Sequence, residues 1–283
     1  MKTYENQRFT GERALFSQNG ITVRNSVFED GESPLKEGRD LTLSGCTFGW
    51  KYPLWYCRDV RVSDTSLTYT ARSGIWYTHG VEMEGCIINA PKTFRRSSGI
   101  SLSSVEMLFA EESLWSCRDV TLKDVTVRGD YFGMNCEDVY AEGLTVSGNY
   151  LFDGAKRVTV RNSTLISKDA FWNCEDVTVY DSVIVGEYLG WNSSRVRFVR
   201  CKIESNQGMC YMDDLTLEEC RLTATDLAFE YSSVDADILS HVDSVKNPLR
   251  GRIVADGYGE IIMEPERVDT SSTVISERRK ADA

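Results

Sequence analysis

Residues 168–194 read KDAFWNCEDVTVYDSVIVGEYLGWNSS, and the internal order of this stretch decides the fold. It contains one complete unit and most of the next, and residues 168–173 close the preceding unit in the same way. The predicted elements are, in chain order, a strand at 176–179, a polar corner at Tyr180 and Asp181, a short strand around Ser182 and Ile184, a loop at Gly186 and Glu187, and a third strand at 188–191. The same order recurs through most of the chain, which indicates a repeat architecture.

Eleven such units follow one another at a nearly constant spacing. Their first apolar residues lie 20, 19, 21, 19 and 20 residues apart, and then 19 apart five times. Within a unit, apolar or small residues occupy offsets 0, +2, +5 and +7, and a further apolar group follows at about +12 to +15. The first apolar residues are Ile21, Leu41, Val60, Val81, Ile100, Val120, Val139, Val158, Val177, Val196 and Leu215.

Alternation with a period of two predicts strands with one buried face. A two-residue polar corner explains the change of phase between +2 and +5, because the chain turns there. No window of 12 residues keeps a helical spacing, the frame of leucine-rich repeats is absent, and a propeller blade needs about 40 residues. The pattern therefore predicts an all-β fold, a three-sided parallel β-helix of about eleven coils with 19–21 residues each.

The repeat predicts a single β-helix domain over residues 1–283. Residues 1–18 do not fit the repeat and are interpreted as an N-terminal cap, because a β-helix must cover the open sheet edge at its end. Residues 19–233 hold the coils and residues 234–265 are interpreted as a C-terminal cap. Residues 266–283 are interpreted as a charged tail, either a strap along the outside or disordered.

The composition, with 41% hydrophobic and 27% charged residues, is typical of a packed core. The net charge of −11 disfavours nucleic acid and anionic membranes as partners. No apolar run approaches the roughly 20 residues of a membrane span, and residues 1–16 lack the apolar region of a signal peptide. The predicted localisation is therefore cytoplasmic, and the oligomeric state is left open.

The nine cysteines recur at fixed phases of the repeat, which favours a structural role as small apolar residues. A zinc site would need closely spaced cysteine pairs, which are absent, and the two histidines are too few for a histidine-based metal centre or a catalytic triad. No metal and no cofactor are therefore predicted. The minor alternative is a disulfide between stacked neighbours, either Cys117 with Cys136 or Cys201 with Cys220.

The loop before each third strand carries charged residues, with aromatic residues around it. Because the coils stack, these side chains are predicted to form one stripe, cationic in the first four coils and mostly acidic from the fifth onward. Such a stripe suits stacking on sugar rings and hydrogen bonds to hydroxyl groups, and its cations suit carboxylates or sulfates. The predicted substrate-binding residues are Lys92, Arg95, Arg96, Trp115, Trp172 and Trp191.

Carboxylates on adjacent coils are the candidates for catalysis. Glu112 lies one coil from Asp130, and Asp169 one coil from Glu187, so one member of each pair is expected to act as an acid and the other as a base or nucleophile. Lys168 is expected to stabilise an ionised carboxylate or, if desolvated, to act as a base. The predicted catalytic residues are Asp169, Glu187, Lys168 and Asp130.

The predicted function is that of a carbohydrate-active enzyme, of hydrolase or lyase type, which binds an oligosaccharide or another small polar ligand along this stripe. Uronate-containing oligosaccharides fit its cations. The alternative is a β-helix that binds carbohydrate without catalysis, or a purely structural scaffold. In that case the aromatic residues pack the wall and the charged loops are solvated.

Six segments carry a family resemblance: FTGERALF (9–16), DGESPLK (30–36), WKYPLWY (50–56), APKTFRR (90–96), KDAFWN (168–173) and GEYLGWN (186–192). They resemble an uncharacterised, mostly bacterial family of about this length. The resemblance implies a right-handed parallel β-helix of the pectin-lyase-like superfamily and brings no established activity. The chain lacks the N-T-D, G-H-G and R-I-K motifs of polygalacturonases and any evident calcium-binding Asp cluster of the pectate-lyase type.

Overall fold

The computed structural model describes residues 2–278, which form strands and turns almost throughout. The chain divides into two compact units, residues 1–148 and 149–283. In each unit, the strands of successive coils lie side by side in parallel, so each unit is a parallel β-helix. The predicted all-β parallel β-helix is therefore confirmed. Among the described residues, no helix is long and apolar enough to cross a membrane.

The longest strands form the first side of the coils. Their buried residues stand in register, as Leu41, Val60 and Val81 do, because aliphatic side chains pack well over one another on a half-buried pleated face. In the unit of residues 1–148 these strands are Lys2–Glu5, Asn19–Arg24, Arg39–Ser44, Arg58–Ser63, His79–Glu84, Ser98–Ser103, Arg118–Lys123 and Glu137–Glu142. In the unit of residues 149–283 they are Lys156–Arg161, Glu175–Tyr180, Ser194–Val199, Asp213–Thr223, Ser233–Ile238, Arg250–Ala255 and Ser272–Glu277.

Strands of two or three residues form the second side, after the polar corner. In the unit of residues 1–148 they are Arg8–Phe9, Val27–Phe28, Thr47–Phe48, Ser66–Leu67, Ile87–Ile88, Glu106–Met107, Thr126–Arg128 and Thr145–Ser147. In the other unit they are Thr164–Ile166, Val183–Val185 and Lys202–Glu204, followed by the last residues of Asp213–Thr223. A separate pair, His241–Lys246 with Gly257–Ile262, lies near the C-terminus.

The third side is built mostly of turns, so the predicted third strand at residues 188–191 is wrong. Alternate residues there have a left-handed backbone, such as Asp169, Phe171 and Asn173 with φ of 57°, 56° and 54°. The amides still bond between coils, since the Asp169 N–H donates to the Glu187 carbonyl at 2.9 Å. Regular elements occur in one region, where the short 3₁₀ helix Tyr69–Ala71 precedes the paired strands Ile75–Trp76 and Phe94–Arg95.

The N-terminal segment contributes a coil strand of its own. Lys2–Glu5 pairs in register with the residues from Ile21 to Arg24, within the segment interpreted as a cap. Beyond residue 233, Val234 lies opposite Gly251 and Gly251 opposite Thr273, at spacings of 17 and 22 residues. These unequal spacings hide the last two coils from a search for a period of 19, whereas Lys2–Glu5 and Val234 lie at the regular spacing of 19.

The number of eleven coils is therefore approximate, because residues 2–278 hold fifteen first-side strands. Part of the segment interpreted as a charged tail forms the strand Ser272–Glu277, and residues 279–283 lie outside the described residues. The assignment of one domain with two caps stays a prediction.

All nine cysteines are buried and free. They take the same places as hydroxyl residues of neighbouring coils, since the backbone N–H of Cys57 donates to Thr78 Oγ1 and that of Cys174 to Ser193 Oγ. The thiols in turn donate to carbonyls, as Cys57 Sγ does to Leu35 O at 3.2 Å. This arrangement agrees with the structural interpretation of the cysteines.

We expect the thiols of the folded protein to resist an aromatic disulfide reagent at about pH 8, near the ordinary thiol pKa. All nine thiols are buried and therefore shielded from the reagent. Burial also raises the pKa of Cys57 and of Cys210 to about 12, so their reactive thiolate is scarce at that pH. A hydrogen bond with Cys220 lowers the pKa of Cys201, which is protected by burial alone. After unfolding in guanidinium chloride, all nine cysteines should react. Rapid labelling without denaturant would contradict the buried arrangement.

Candidate functional site

The third-side turns of the unit of residues 149–283 place polar and aromatic side chains in columns. Each turn residue bonds through its backbone to the next coil, as Tyr150 N–H does to the Lys168 carbonyl and Asp169 N–H to that of Glu187. Equivalent side chains of successive coils therefore lie side by side. The surface that we call the Asp169 patch consists of Tyr150, Asp153, Lys168, Asp169, Trp172, Asn173, Glu187, Tyr188, Trp191 and Asn192.

Asp169 is the buried carboxylate of the Asp169 patch, with an exposed fraction of 2%. Its Oδ1 atom is buried and has no hydrogen-bond partner among residues 2–278. Burial raises the pKa of Asp169, while the charge of Lys168 and a hydrogen bond with Tyr150 offset part of the rise. Polar atoms left unpaired in the interior are rare and costly, and perturbed carboxyls concentrate at functional sites. Asp169 is therefore the candidate reactive group of the patch.

Lys168 and Glu187 form an exposed ion pair beside Asp169, with 3.3 Å between Nζ and Oε2. The hydrogen bond to Glu187 raises the pKa of Lys168. The same ammonium lies 5.1 Å from the centre of the Tyr188 ring. Lys168 is thus held in its protonated form, which favours its predicted role as a charge partner of carboxylates over the alternative role as a base.

Trp172 and Trp191 stack on each other, with ring centres 5.8 Å apart and planes at 11°. Each indole N–H donates at 2.6 Å to a backbone carbonyl of the next coil, Trp172 to Tyr188 and Trp191 to Gln207. Both side chains are half-buried. Because the indoles stack on each other and the carbonyls occupy their N–H groups, the two tryptophans pack as part of the wall of the coils.

A row of side-chain amides runs next to this stack. Asn192 Nδ2 donates to Asn173 Oδ1 at 2.8 Å, and Asn173 Nδ2 donates to Asp153 Oδ1 at 2.8 Å. Both asparagines are exposed. The site predicted from the sequence omitted this row, although the dipeptide Trp-Asn recurs at 172–173 and 191–192 and indicates it.

In the unit of residues 1–148, the predicted cations are largely neutralised. Arg95 lies between the rings of Trp76 and Trp115, at 4.8 and 4.9 Å from their centres. Glu112 Oε2 accepts from Arg95 at 3.0 Å and from Lys92 at 3.1 Å. Lys92 and Arg95 are therefore members of an ion-paired, stacked wall, and Trp115 is one face of that wall.

Two further predicted residues adjoin this wall through backbone hydrogen bonds, Asp130 with Glu112 and Arg96 with Trp115. Asp130 is half-buried in the unit of residues 1–148, where its carbonyl accepts from the Glu112 backbone N–H at 2.9 Å. Arg96 is exposed and forms no ion pair with any residue that the structure describes. Over residues 2–278, no group of three or more His, Cys, Asp or Glu side chains is arranged to hold a metal ion.

The family model described as a protein of unknown function (DUF3737) matches residues 2–276. The chain therefore belongs to this family, which confirms the resemblance to an uncharacterised family. None of the curated proteins matches the chain.

Solved structures are similar in fold at low sequence identity. The tailspike protein gp49 from Pseudomonas phage LKA1 is 10% identical over 92% of this chain, with a TM-score of 0.39, and the chain spans 46% of that protein's length. The A-module of the mannuronan C-5 epimerase AlgE4 from Azotobacter vinelandii is 11% identical over 97% of this chain and 91% of its own, with a TM-score of 0.28. A double mutant of the periplasmic alginate epimerase AlgG is 10% identical over 96% of this chain and 77% of its own, with a TM-score of 0.24.

Proposed function

We propose that this member of the DUF3737 family binds an oligosaccharide at the Asp169 patch. The observation that carries the proposal is the exposed amide row of Asn173 and Asn192 on the residues that follow the Trp172–Trp191 stack in the chain. Side-chain amides both donate to and accept from the hydroxyl groups of a sugar, while half-buried indoles offer apolar surface to its C–H groups. Specific sites for small ligands combine these two kinds of contact.

The charged residues of the patch add to this surface. Lys168 and Glu187 are each about half exposed, at 49% and 51% of their side-chain areas. They offer one donor group and one acceptor group beside the aromatic side chains of the patch. The ligand that we propose is a short oligosaccharide, in keeping with the cytoplasmic localisation predicted from the sequence. Uronate-containing chains are the first to test, because Lys168 can pair with a carboxylate.

The double substitution Asn173→Ala and Asn192→Ala is expected to weaken oligosaccharide binding by about tenfold. Each lost amide contact contributes about 0.5–1.5 kcal/mol, and about 1.4 kcal/mol is a factor of ten in affinity. A glycan array identifies the ligand, and isothermal titration calorimetry then compares the variant with the wild type. Thermal unfolding should change little, because both side chains are exposed.

The matched control is the equivalent row of the other unit, Tyr56 and Tyr77, which stack with ring centres 4.9 Å apart. Changing both tyrosines to alanine should leave the affinity unchanged. Equal weakening by both double variants would contradict a site at the Asp169 patch. An array without any bound glycan would favour the structural scaffold instead.

A second candidate function is turnover of the bound oligosaccharide, and it is favoured by Asp169. A carboxyl whose pKa is raised keeps its proton to higher pH, which is the form that a general acid needs. Glu187 is a further carboxylate of the patch, one coil from Asp169, and acid chemistry on glycosidic bonds uses two carboxyl groups. In this proposal Asp169 is the acid, Glu187 the base or nucleophile, and Lys168 the charge partner.

A further inference from the structure

A groove in the unit of residues 1–148 has a cationic lining, although the protein as a whole has a net charge of −11. Its volume is about 420 Å³, and no aspartate or glutamate is among the described residues that line it. The lining residues are His79, Arg96, Ser97, Ser98, Ser116 and Arg118. Other grooves differ, since Arg61 lies with Glu82 and Glu84 in one of them, and Arg250 with three aspartates in another.

The register of the coils creates this groove. His79, Ser98 and Arg118 follow one another at the start of adjacent first-side strands. Arg96 and Ser116 precede them on adjacent coils, each with a left-handed backbone, at φ of 48° and 53°. The small side chains of Ser98 and Ser116 leave a depression, and the longer side chains of the other three residues surround it.

Most of the side-chain hydrogen-bond donors in the groove are available to a ligand. Arg96 forms no ion pair within the described part of the chain. His79 is held through Nδ1, which lies 2.8 Å from Ser98 Oγ, so its Nε2 is the nitrogen left for a ligand. Arg118 pairs with Glu137 at the long distance of 3.6 Å, and 67% of the Arg118 side chain is exposed.

The coils on the N-terminal side of the groove add positive charge, whereas Glu137 stands beside Arg118 on the other side. Arg58 stands beside His79 in the strand register, and Arg39 beside Arg58. Neither arginine forms an ion pair with the residues that the structure describes. Like charges directly opposite each other in a sheet repel. A bound anion would relieve this repulsion.

We propose that this groove is a binding site for a tetrahedral oxyanion, the sulfate or phosphate group of a small ligand. Two guanidinium groups, one imidazole and two hydroxyls converge on it from neighbouring coils. That number of donors matches the several strong acceptor oxygens of a phosphate or sulfate better than the two oxygens of a carboxylate. The sequence pattern predicts Arg96 as a binding residue, and the groove adds His79, Ser98, Ser116 and Arg118. The inference is independent of the proposed oligosaccharide binding, which concerns the other unit.

The test is calorimetric titration of the full chain with inorganic sulfate, inorganic phosphate and glucuronate, at an ionic strength held constant with chloride. We expect saturable binding of sulfate or phosphate, weaker binding of glucuronate, and a loss of about tenfold or more in affinity for Arg96→Ala, because hydrogen bonds to charged groups are the strong ones. The anion that binds more tightly, sulfate or phosphate, shows which of the two groups the natural ligand carries.

The control is Arg61→Ala, which removes the same charge from the same unit at a site paired with Glu82 at 3.4 Å. It should change the affinity by less than about twofold, since exposed charges act weakly at a distance in salt. Ser116→Asp is the second variant. It places a carboxylate in the groove, on a backbone that aspartate tolerates, and should abolish binding. Absence of saturable binding, equal losses in Arg96→Ala and Arg61→Ala, or tighter binding of glucuronate would overturn the proposal.

Discussion

Replacing Asp169 with asparagine is expected to lower turnover of the bound oligosaccharide about 100-fold or more, because a positioned general acid contributes at least about that factor. The same variant is expected to be at least as stable as the wild type near neutral pH. Asparagine has nearly the same shape but carries no charge, and burial disfavours the charged form of this side chain. A loss of activity without a loss of stability is typical of a functional residue.

The pH dependence follows from the direction of the Asp169 pKa shift. The pKa is raised in the folded state, so the unfolded chain releases this proton at lower pH than the folded protein does. The contribution of Asp169 to stability is therefore greatest below the ordinary aspartate pKa of 3.8 and falls as the pH rises towards the folded value. The stability difference between Asp169→Asn and the wild type should grow over that rise, as urea unfolding at several pH values will measure.

Asp181 is the matched control for this prediction. It lies in the same unit, but its hydrogen bonds with Arg200 lower its pKa. The folded state then gains stability above the ordinary aspartate pKa of 3.8 and loses that gain as the pH falls through the folded value. Asp181→Asn should therefore be slightly less stable than the wild type at neutral pH.

Full turnover by Asp169→Asn would refute the proposal that Asp169 is catalytic and would leave oligosaccharide binding as the only proposed function.

Replacing Phe171 with alanine should have the largest effect on stability, a loss of about 3–5 kcal/mol in the free energy of unfolding. Phe171 is fully buried and stacks on Phe152, with ring centres 5.8 Å apart. Truncation leaves a cavity in a core where the neighbouring coils have little freedom to close it. Because Phe171 lies between Asp169 and Trp172 in the chain, oligosaccharide binding should weaken as well.

Chemical denaturation followed by circular dichroism measures this loss. Ile166→Ala is the control, because Ile166 is 51% exposed in the same unit and should cost less than about 1 kcal/mol. Phenylalanine and alanine both carry a Cβ atom, so the strain of the left-handed backbone at residue 171 is the same in both proteins. The loss of stability therefore measures the packing of the Phe171 ring. A loss as small as that of the control would mean that the interior of this unit is loosely packed.

Much of the fold could be read from the sequence because the contacts of a β-helix repeat with the chain. A buried residue meets its counterpart one coil away, so Val177, Val196 and Leu215 stand side by side as their spacing of 19 predicts. The same logic assigned the cysteines to the wall. It failed near the C-terminus, where coils of 17 and 22 residues break the period.

The candidate site was predictable in part. The columns of aromatic and charged residues followed from the repeat, and so did the position of Asp169 one coil from Glu187. The ion pair of Glu187 with Lys168 was not predicted. The turns of the third side were missed, because left-handed backbone at residues such as Phe171 and Tyr188 has no signal in the residue type. The amide row at Asn173 and Asn192 corresponds to a dipeptide, Trp-Asn, that recurs in the sequence, but its hydrogen bonds appear only when the coils are stacked.

The sequence by itself determined the coil, its period and the residues that face inward, because alternation and spacing act along the chain. Only the tertiary structure decided which charged groups form ion pairs and which do not. Glu112 neutralises Lys92 and Arg95, whereas Arg96 pairs with no acid in the described part of the chain and Asp169 is buried with a free oxygen. The physical reason is that ion pairs and burial depend on the reach and direction of side chains between coils, and the spacing along the chain does not encode either.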